Sequence, residues 1–477
     1  MRGLEIPQTE VLRRFADDNP WWAAGNGIDP ERQAWPRRAY YAPFAYLVGN
    51  LEVVRAVVLI GPRRVGKTVM IHHTIQGLLD RGVVGTQISY MSLDTPLYSG
   101  RALESLVRMF IDQHGHRGDR PLWVFFDEVQ YLKDWEVHLK SLVDTFRWIR
   151  FVASGSAAAT LKRKSRESGA GRFSDFLLPP LTFAEYLNFI EREQALIVPT
   201  GTPPWGYQPA NISELNHEFV NYLNYGGFPE AVMNKAVREK RQRFLREDIV
   251  EKVLLKDLPS LFGISNTQEL NSLFNVLAFN TGQEVRLDNL SKASGVNKQR
   301  LLDYLDYLEA AFLIQRVHRI DNTARRMQRA TSFKVYLTNP SLRAALFGTI
   351  GAEDPAIGHL AETAAWSQWL HNQQPGDLHY ARWRSGRSDR EVDIVCRDSP
   401  SQRPVWATEI KWTNAAIDSW NDLKPIVEFA KQNPMQEPPT VTTLSFAGQK
   451  ECGGIVLDFV PTSLYCFAVG KNSLGAA

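Results

Sequence analysis

An apolar, β-branched run, Val57-Val58-Leu59-Ile60, leads directly into Gly61-Pro62-Arg63-Arg64-Val65-Gly66-Lys67-Thr68, which reads G-x-x-x-x-G-K-T, and a helix-compatible segment follows from Val69 to Leu79. Strand, glycine-rich loop and helix in this order form a phosphate cradle. The glycines let backbone N–H groups wrap an oxyanion, and the start of the helix adds its dipole. In this pattern Gly61 through Thr68 bind the nucleotide phosphates. Lys67 places a point charge on the β- and γ-phosphates, and Thr68 offers a hydroxyl to Mg²⁺. The expected cofactors are therefore ATP and Mg²⁺.

A second motif points the same way. Leu122-Trp123-Val124-Phe125-Phe126-Asp127-Glu128 is a continuous apolar run ending in two carboxylates, the pattern of a parallel strand covered on both faces. Asp127 at its carboxyl end is a candidate for the Mg²⁺ site beside Thr68. Glu128 is then a candidate general base for the attacking water.

Length and composition set the frame. The 477 residues allow two to four domains, and the 44% hydrophobic and 22% charged content is that of a globular chain. A net charge of +3 argues neither for nor against nucleic acid, so a binding surface would have to be a local patch. Three scattered cysteines, Cys396, Cys452 and Cys466, suit neither a metal knuckle nor a disulfide framework, and a reducing, cytoplasmic setting is expected. No apolar stretch reaches membrane-spanning length, so no membrane partner is expected.

Four regions are legible. Residues 1–45 are a lead-in containing Asn19-Pro20-Trp21-Trp22, whose tryptophans read as anchors on a core. Residues 46–195 alternate helices with strands at Val53–Ile60, Thr86–Leu93, Leu122–Phe126 and Arg150–Ser154, an α/β three-layer parallel sheet. Residues 196–325 begin in a Pro/Gly/Thr-rich loop and continue as helices. Within them, Leu287 to Leu302 has the outline of a helix-turn-helix, which serves either DNA contact or packing. Residues 326–477 carry strand-like runs at Phe333–Leu337, His379–Arg384, Glu391–Val395, Val405–Ile410, Gly454–Phe459 and Ser463–Phe467, interrupted by one helix from about Ile357 to Trp369.

This last region holds a second constellation. Glu409 and Lys411 are two apart in a strand and share a face. Asp393 at the centre of a neighbouring strand, flanked by Val392 and Ile394, could join them, with Glu362 approaching from the helix. Such carboxylates could hold Mg²⁺ at a phosphodiester, with the lysine stabilising developing charge. The competing reading is a set of cross-strand ion pairs.

These motifs together resemble a family of prokaryotic ATPases that join an AAA-type P-loop domain to a C-terminal restriction-endonuclease-like domain. The resemblance rests on Asn19-Pro20-Trp21-Trp22, Gly61–Thr68, Asp127-Glu128-Val129-Gln130, Ala153-Ser154-Gly155-Ser156, Gly171-Arg172, Pro180-Leu181-Thr182-Phe183, Gly226-Gly227-Phe228-Pro229-Glu230 and the helix-turn-helix. It implies a helical and winged-helix middle region and a nuclease-like set mapping onto Glu362, Asp393, Glu409 and Lys411. Ser154, or Ser156, would sense the γ-phosphate, and Arg172 would be an arginine finger acting on a neighbouring subunit, hence a homo-oligomer. Where the family tends to have Asp after the Phe333–Leu337 strand, this chain has Thr338-Asn339. The stretch Lys162-Arg163-Lys164-Ser165-Arg166 reads equally as a solvated loop or a phosphate-contacting one. The expected activity is a Mg²⁺-dependent ATPase whose nucleotide state controls a DNA-engaging, nuclease-like domain. The alternatives are a regulatory switch that binds DNA or protein without cutting it, and a mechanical remodeller.

Overall fold

The computed structural model describes all residues except 1–6, 99–100, 157–170, 203–204, 240–242, 326–331, 373–376 and 476–477. The basic stretch 162–166 thus lies outside the described residues. The chain divides into two compact units, Met1–Leu178 and Pro179–Ala477.

The first unit is built on five strands: β1 (Ala56–Gly61), β2 (Ile88–Ser92), β3 (Leu122–Asp127), β4 (Ile149–Ser156) and β5 (Phe173–Leu177), in the order β2-β3-β4-β1-β5. Every neighbouring pair is parallel. β1, β3 and β4 are buried along their whole length; β1 and β3 read as apolar runs for that reason, while β4 also buries Arg150, Ser154 and Ser156. β5, too short and too polar to stand out in the sequence, forms one edge. The other edge, β2, is covered by the N-terminal segment. Asn19 exchanges hydrogen bonds with Tyr90, donating to its carbonyl at 2.9 Å and accepting from its N–H at 2.6 Å. The indoles of Trp21 and Trp22 both donate to the Ile88 carbonyl. The exposed strand edge is thereby satisfied by side chains instead of a sixth strand.

The second unit opens with helices Phe183–Phe189 and Glu193–Leu196, followed by the two-stranded β6 (Ile197–Pro199) and β7 (Tyr207–Pro209). A nine-stranded sheet follows: β8 (Glu284–Arg286), β9 (Ile314–Ile320), β10 (Ser332–Leu337), β11 (Asp377–Ser385), β12 (Ser388–Arg397), β13 (Pro404–Glu409), β14 (Thr440–Thr443), β15 (Gly448–Cys452) and β16 (Ile455–Pro461). Its order is β15-β16-β14-β13-β12-β11-β9-β10-β8. The boundary expected at 325/326 falls between β9 and β10, which pair antiparallel, and the boundary expected at 195/196 falls inside a core shared by Leu181, Phe183, Tyr186, Trp366 and Tyr465. Helices Ile357–Trp369 and Thr462–Gly475 contribute to that core, while helix Trp420–Gln432 packs in a second one with Val392, Val395 and Val441.

Two local expectations are corrected. Ser463–Phe467 lies in a helix, not a strand; it is buried throughout, so no polar face marks its period. Helix Trp420–Gln432 also joins Ile357–Trp369, where one helix was expected. In the middle region, helix Leu287–Ser294 ends at Gly295 with φ +72°, and Asn297 caps helix Lys298–Ala310 through the Arg300 N–H at 2.9 Å.

Candidate functional site

The parallel order places β4 between β1 and β3, so three strand ends converge. β1 delivers Gly61 into the loop, and the helix Lys67–Asp80 begins where the loop closes. Gly66 takes φ +94°, and a Cβ on Gly61 would stand 2.3 Å from the Leu178 carbonyl oxygen. Both positions therefore require glycine. The Lys67 ammonium, 4% exposed, donates to the Gly61 and Pro62 carbonyls at 3.2 and 3.0 Å. Arg63 reaches the Tyr131 hydroxyl at 3.4 Å, Arg64 takes φ +65°, and the Val65 carbonyl accepts from Arg38 at 2.7 Å.

Asp127 sits at the centre. It accepts from the Thr68 hydroxyl at 2.7 Å and the Tyr90 hydroxyl at 2.9 Å through one oxygen, and from the Ser154 hydroxyl through the other. Thr68, Asp127 and Ser154, from three separate elements, are thus brought together. Burial, then the Asp127 charge, raises the Tyr90 hydroxyl well above its usual range, so it stays a donor. Glu128 adopts φ +58°, in the left-handed region. Its N–H donates to Ser154 Oγ at 3.3 Å, and its carboxylate accepts from the Gln130 amide. Gln130 in turn accepts from the Ser156 N–H at 3.1 Å. Tyr90 and Gln130 were not singled out from the sequence. Gln130 lies within a quoted motif, but Tyr90 is a strand aromatic with no local signal.

Arg172 is not part of this assembly. It precedes β5, its carbonyl accepts from the Ala56 N–H at the start of β1, and its guanidinium pairs with Asp144 at 2.5 Å. The length of β1, about 17 Å at ~3.3 Å per residue, separates that edge from the phosphate loop.

In the second unit, Asp393 on β12 and Glu409 on β13 occupy neighbouring, antiparallel strands. A β-bulge sets Asp393 and Ile394 against Tyr380 alone, between the pairs Val395–His379 and Val392–Ala381. Val392 and Ile394 consequently pack into different cores, not on one side as strict alternation required. Asp393 accepts from the Ile410 N–H at 2.9 Å, and Lys411 pairs with Glu409 at 2.8 Å.

The centre of this acidic set holds an ammonium. Lys334 on β10, with a side chain 3% exposed, lies 2.7 Å from Glu362, 2.6 Å from Glu391 and 3.6 Å from Asp393. The Tyr336 hydroxyl also donates to Glu362, at 2.5 Å. Burial, then the Asp393 charge, pushes the Glu362 carboxyl up to about 7 and the Glu409 carboxyl up to about 8. Lys334 is held charged against its burial by the surrounding carboxylates. Glu409 Oε2 is buried without a hydrogen-bond partner. Among the described residues no three His, Cys, Asp or Glu side chains are grouped to hold a metal ion. Lys334 already supplies the cation beside Glu362 and Asp393, and Lys411 the one beside Glu409, so the three carboxylates do not fit the expected divalent site. Lys334 and Glu391 were missed: a lone lysine in Phe333–Leu337 reads as a strand's solvated face.

Residues 54–187 match the family model of an AAA domain, and residues 216–353 that of a domain of unknown function, DUF8612. An uncharacterized protein of Haemophilus influenzae is 24% identical over 346 residues, 71% of this chain and 79% of that protein. An uncharacterized protein of Methanocaldococcus jannaschii is 22% identical over 319 residues, 64% of this chain and 66% of that protein. Among solved structures, Cdc6p from Pyrobaculum aerophilum has a TM-score of 0.28 at 14% identity, covering 69% of this chain and 97% of that one. PCH-2 of C. elegans has a TM-score of 0.26 at 17% identity, covering 41% and 59%. Likeness at such scores carries no argument. The family match and the parallel sheet do, and the first unit is an AAA-type P-loop domain. No helix among the described residues is long and apolar enough to cross a membrane.

Proposed function

We propose that the chain is a Mg²⁺-dependent ATPase that works as a nucleotide switch, with a second unit that engages its partner, DNA being the expected one, without cutting it. The observation that carries the ATPase reading is the contact of the Thr68 hydroxyl with Asp127 beside a buried Lys67. A hydroxyl and a carboxylate at the head of a phosphate loop are a hard-oxygen donor set suited to Mg²⁺. When bound there, the ion would neutralise charge on the β- and γ-phosphates. Lys67 turns from the Gly61 and Pro62 carbonyls toward the phosphates. Ser154 holds Asp127 and senses the γ-phosphate end of the site. Glu128 accepts the proton of the attacking water once its carboxylate leaves the Gln130 amide.

The switch reading is favoured over the nuclease reading by Lys334. An internal ammonium among Glu362, Glu391 and Asp393 satisfies those carboxylates as an ion-pair network.

Phosphate release by Glu128→Gln tests the ATPase assignment. The amide keeps the shape but accepts no proton, so turnover should fall about 10²-fold or more while ATP binding persists. Wild-type turnover would assign the base elsewhere.

A further inference from the structure

The end of the first unit's sheet opposite the phosphate loop carries an open cavity of about 320 Å³. It forms where β1, β3 and β4 begin, and its lining includes Arg55, Arg120, Arg147 and Arg150 with Trp148. Asp119 is the one carboxylate among the lining residues. Arg150 is 5% exposed; one of its terminal nitrogens donates to the Arg55 carbonyl at 2.5 Å, and its Nε is buried with no hydrogen-bond partner. Among the described residues no carboxylate lies in ion-pair reach of Arg55, Arg120, Arg147 or Arg150.

A buried guanidinium without a counter-charge is costly, and three more nearby compound the repulsion. An anion in the cavity removes that cost. Guanidinium forks match phosphate oxygens in pairs. The remaining lining is apolar: Trp148 is partly exposed, and Val53 and Val54 are 47% and 37% exposed. Arginines beside an aromatic face and small apolar surfaces suit a ligand alternating phosphates with flat bases. An acidic peptide uses the charges but leaves those faces without a partner.

We propose that this cavity binds the phosphodiester backbone of single-stranded nucleic acid, with a base against Trp148. It is a site separate from the phosphate loop and from the acidic set around Lys334.

The test is fluorescence anisotropy of the full chain with a labelled oligothymidylate of about 15 nucleotides, repeated across salt. The comparison protein is Arg120→Glu/Arg147→Glu; both residues are exposed, and retained ATP turnover reports that the first unit is folded. Affinity should fall at least tenfold. The slope of log affinity against log salt should shrink by about 1.4, at ~0.7 per phosphate contact. A duplex of equal length should bind more weakly than the single strand. Unchanged affinity and slope in the variant would overturn the proposal. So would tighter binding of the duplex, or binding of polyglutamate with none of the oligonucleotide.

Discussion

Two buried lysines define the two units at the scale of the residue. Lys67 faces carbonyls, which are neutral acceptors it can exchange for phosphate oxygens. Lys334 faces carboxylates, and leaving them would strip the buried Glu362 and Asp393 and the half-buried Glu391 of their counter-charge. Removing one partner of a buried ion pair typically costs ~3–5 kcal/mol. Lys334→Ala should therefore lower the stability of the second unit by that order in denaturant melts. Mn²⁺ should restore part of it in the variant and do nothing for the wild type. Equal stability of the two proteins would mean that the ammonium does not hold the set together. The phosphate loop was legible residue by residue because its chemistry is written in consecutive positions. The Lys334 set was not, because Lys334, Glu362, Glu391 and Asp393 come together only through the pairing of distant strands and a helix. The bulge at Asp393 adds to this: one extra residue reverses the alternation on which the sequence reading of Val392 and Ile394 relied.

At the scale of the element, the helix Lys67–Asp80 is buried on every side from Met70 to Ile75, so His72 and His73 are enclosed. Burial, then the Arg32 guanidinium and His73, lowers His72 to about 3. The unfolded chain takes up this proton near the ordinary value of 6.5, and the folded one only near 3. Protons therefore favour unfolding between those values. The stability contributed by neutral His72 is complete above about pH 6.5 and is lost as pH falls toward 3. Thermal melts of the first unit should drop more steeply from pH 7 to pH 4.5 in the wild type than in His72→Gln. Parallel pH profiles would place the acid sensitivity elsewhere. Elements with one-sided or fully buried patterns, such as β1 and β3, were readable from their apolar runs. The helix Thr462–Gly475 was not, because Thr462 through Gly470 are buried on every side, which removes the polar face that separates a helix from a strand.

At the scale of the whole molecule, the position of Arg172 bears on the proposal that the ATPase works as an assembly of copies. It stands at the far end of β1 from its own phosphate loop, so any contact with a γ-phosphate must come from another copy. Specific ATPase activity should then rise with protein concentration, and Arg172→Ala should flatten the curve. Activity independent of concentration would remove the trans role. The division at Leu178–Pro179 is itself hard to read in the sequence. Pro180-Leu181-Thr182-Phe183 follows β5 without a linker of distinctive composition, and its apolar residues join the second unit's core. The Pro/Gly-rich stretch that suggested a boundary lies between β6 and β7, which pair antiparallel within that unit.

The central claim is that Gly61–Thr68 binds ATP through Lys67. Calorimetric titration of the full chain with ATP and Mg²⁺, wild type beside Lys67→Ala, tests it most directly. The wild type should bind saturably. The variant should keep its fold by circular dichroism and lose binding at least tenfold, about 1.4 kcal/mol. Equal affinity in the two proteins, or no binding by the wild type, would contradict the account.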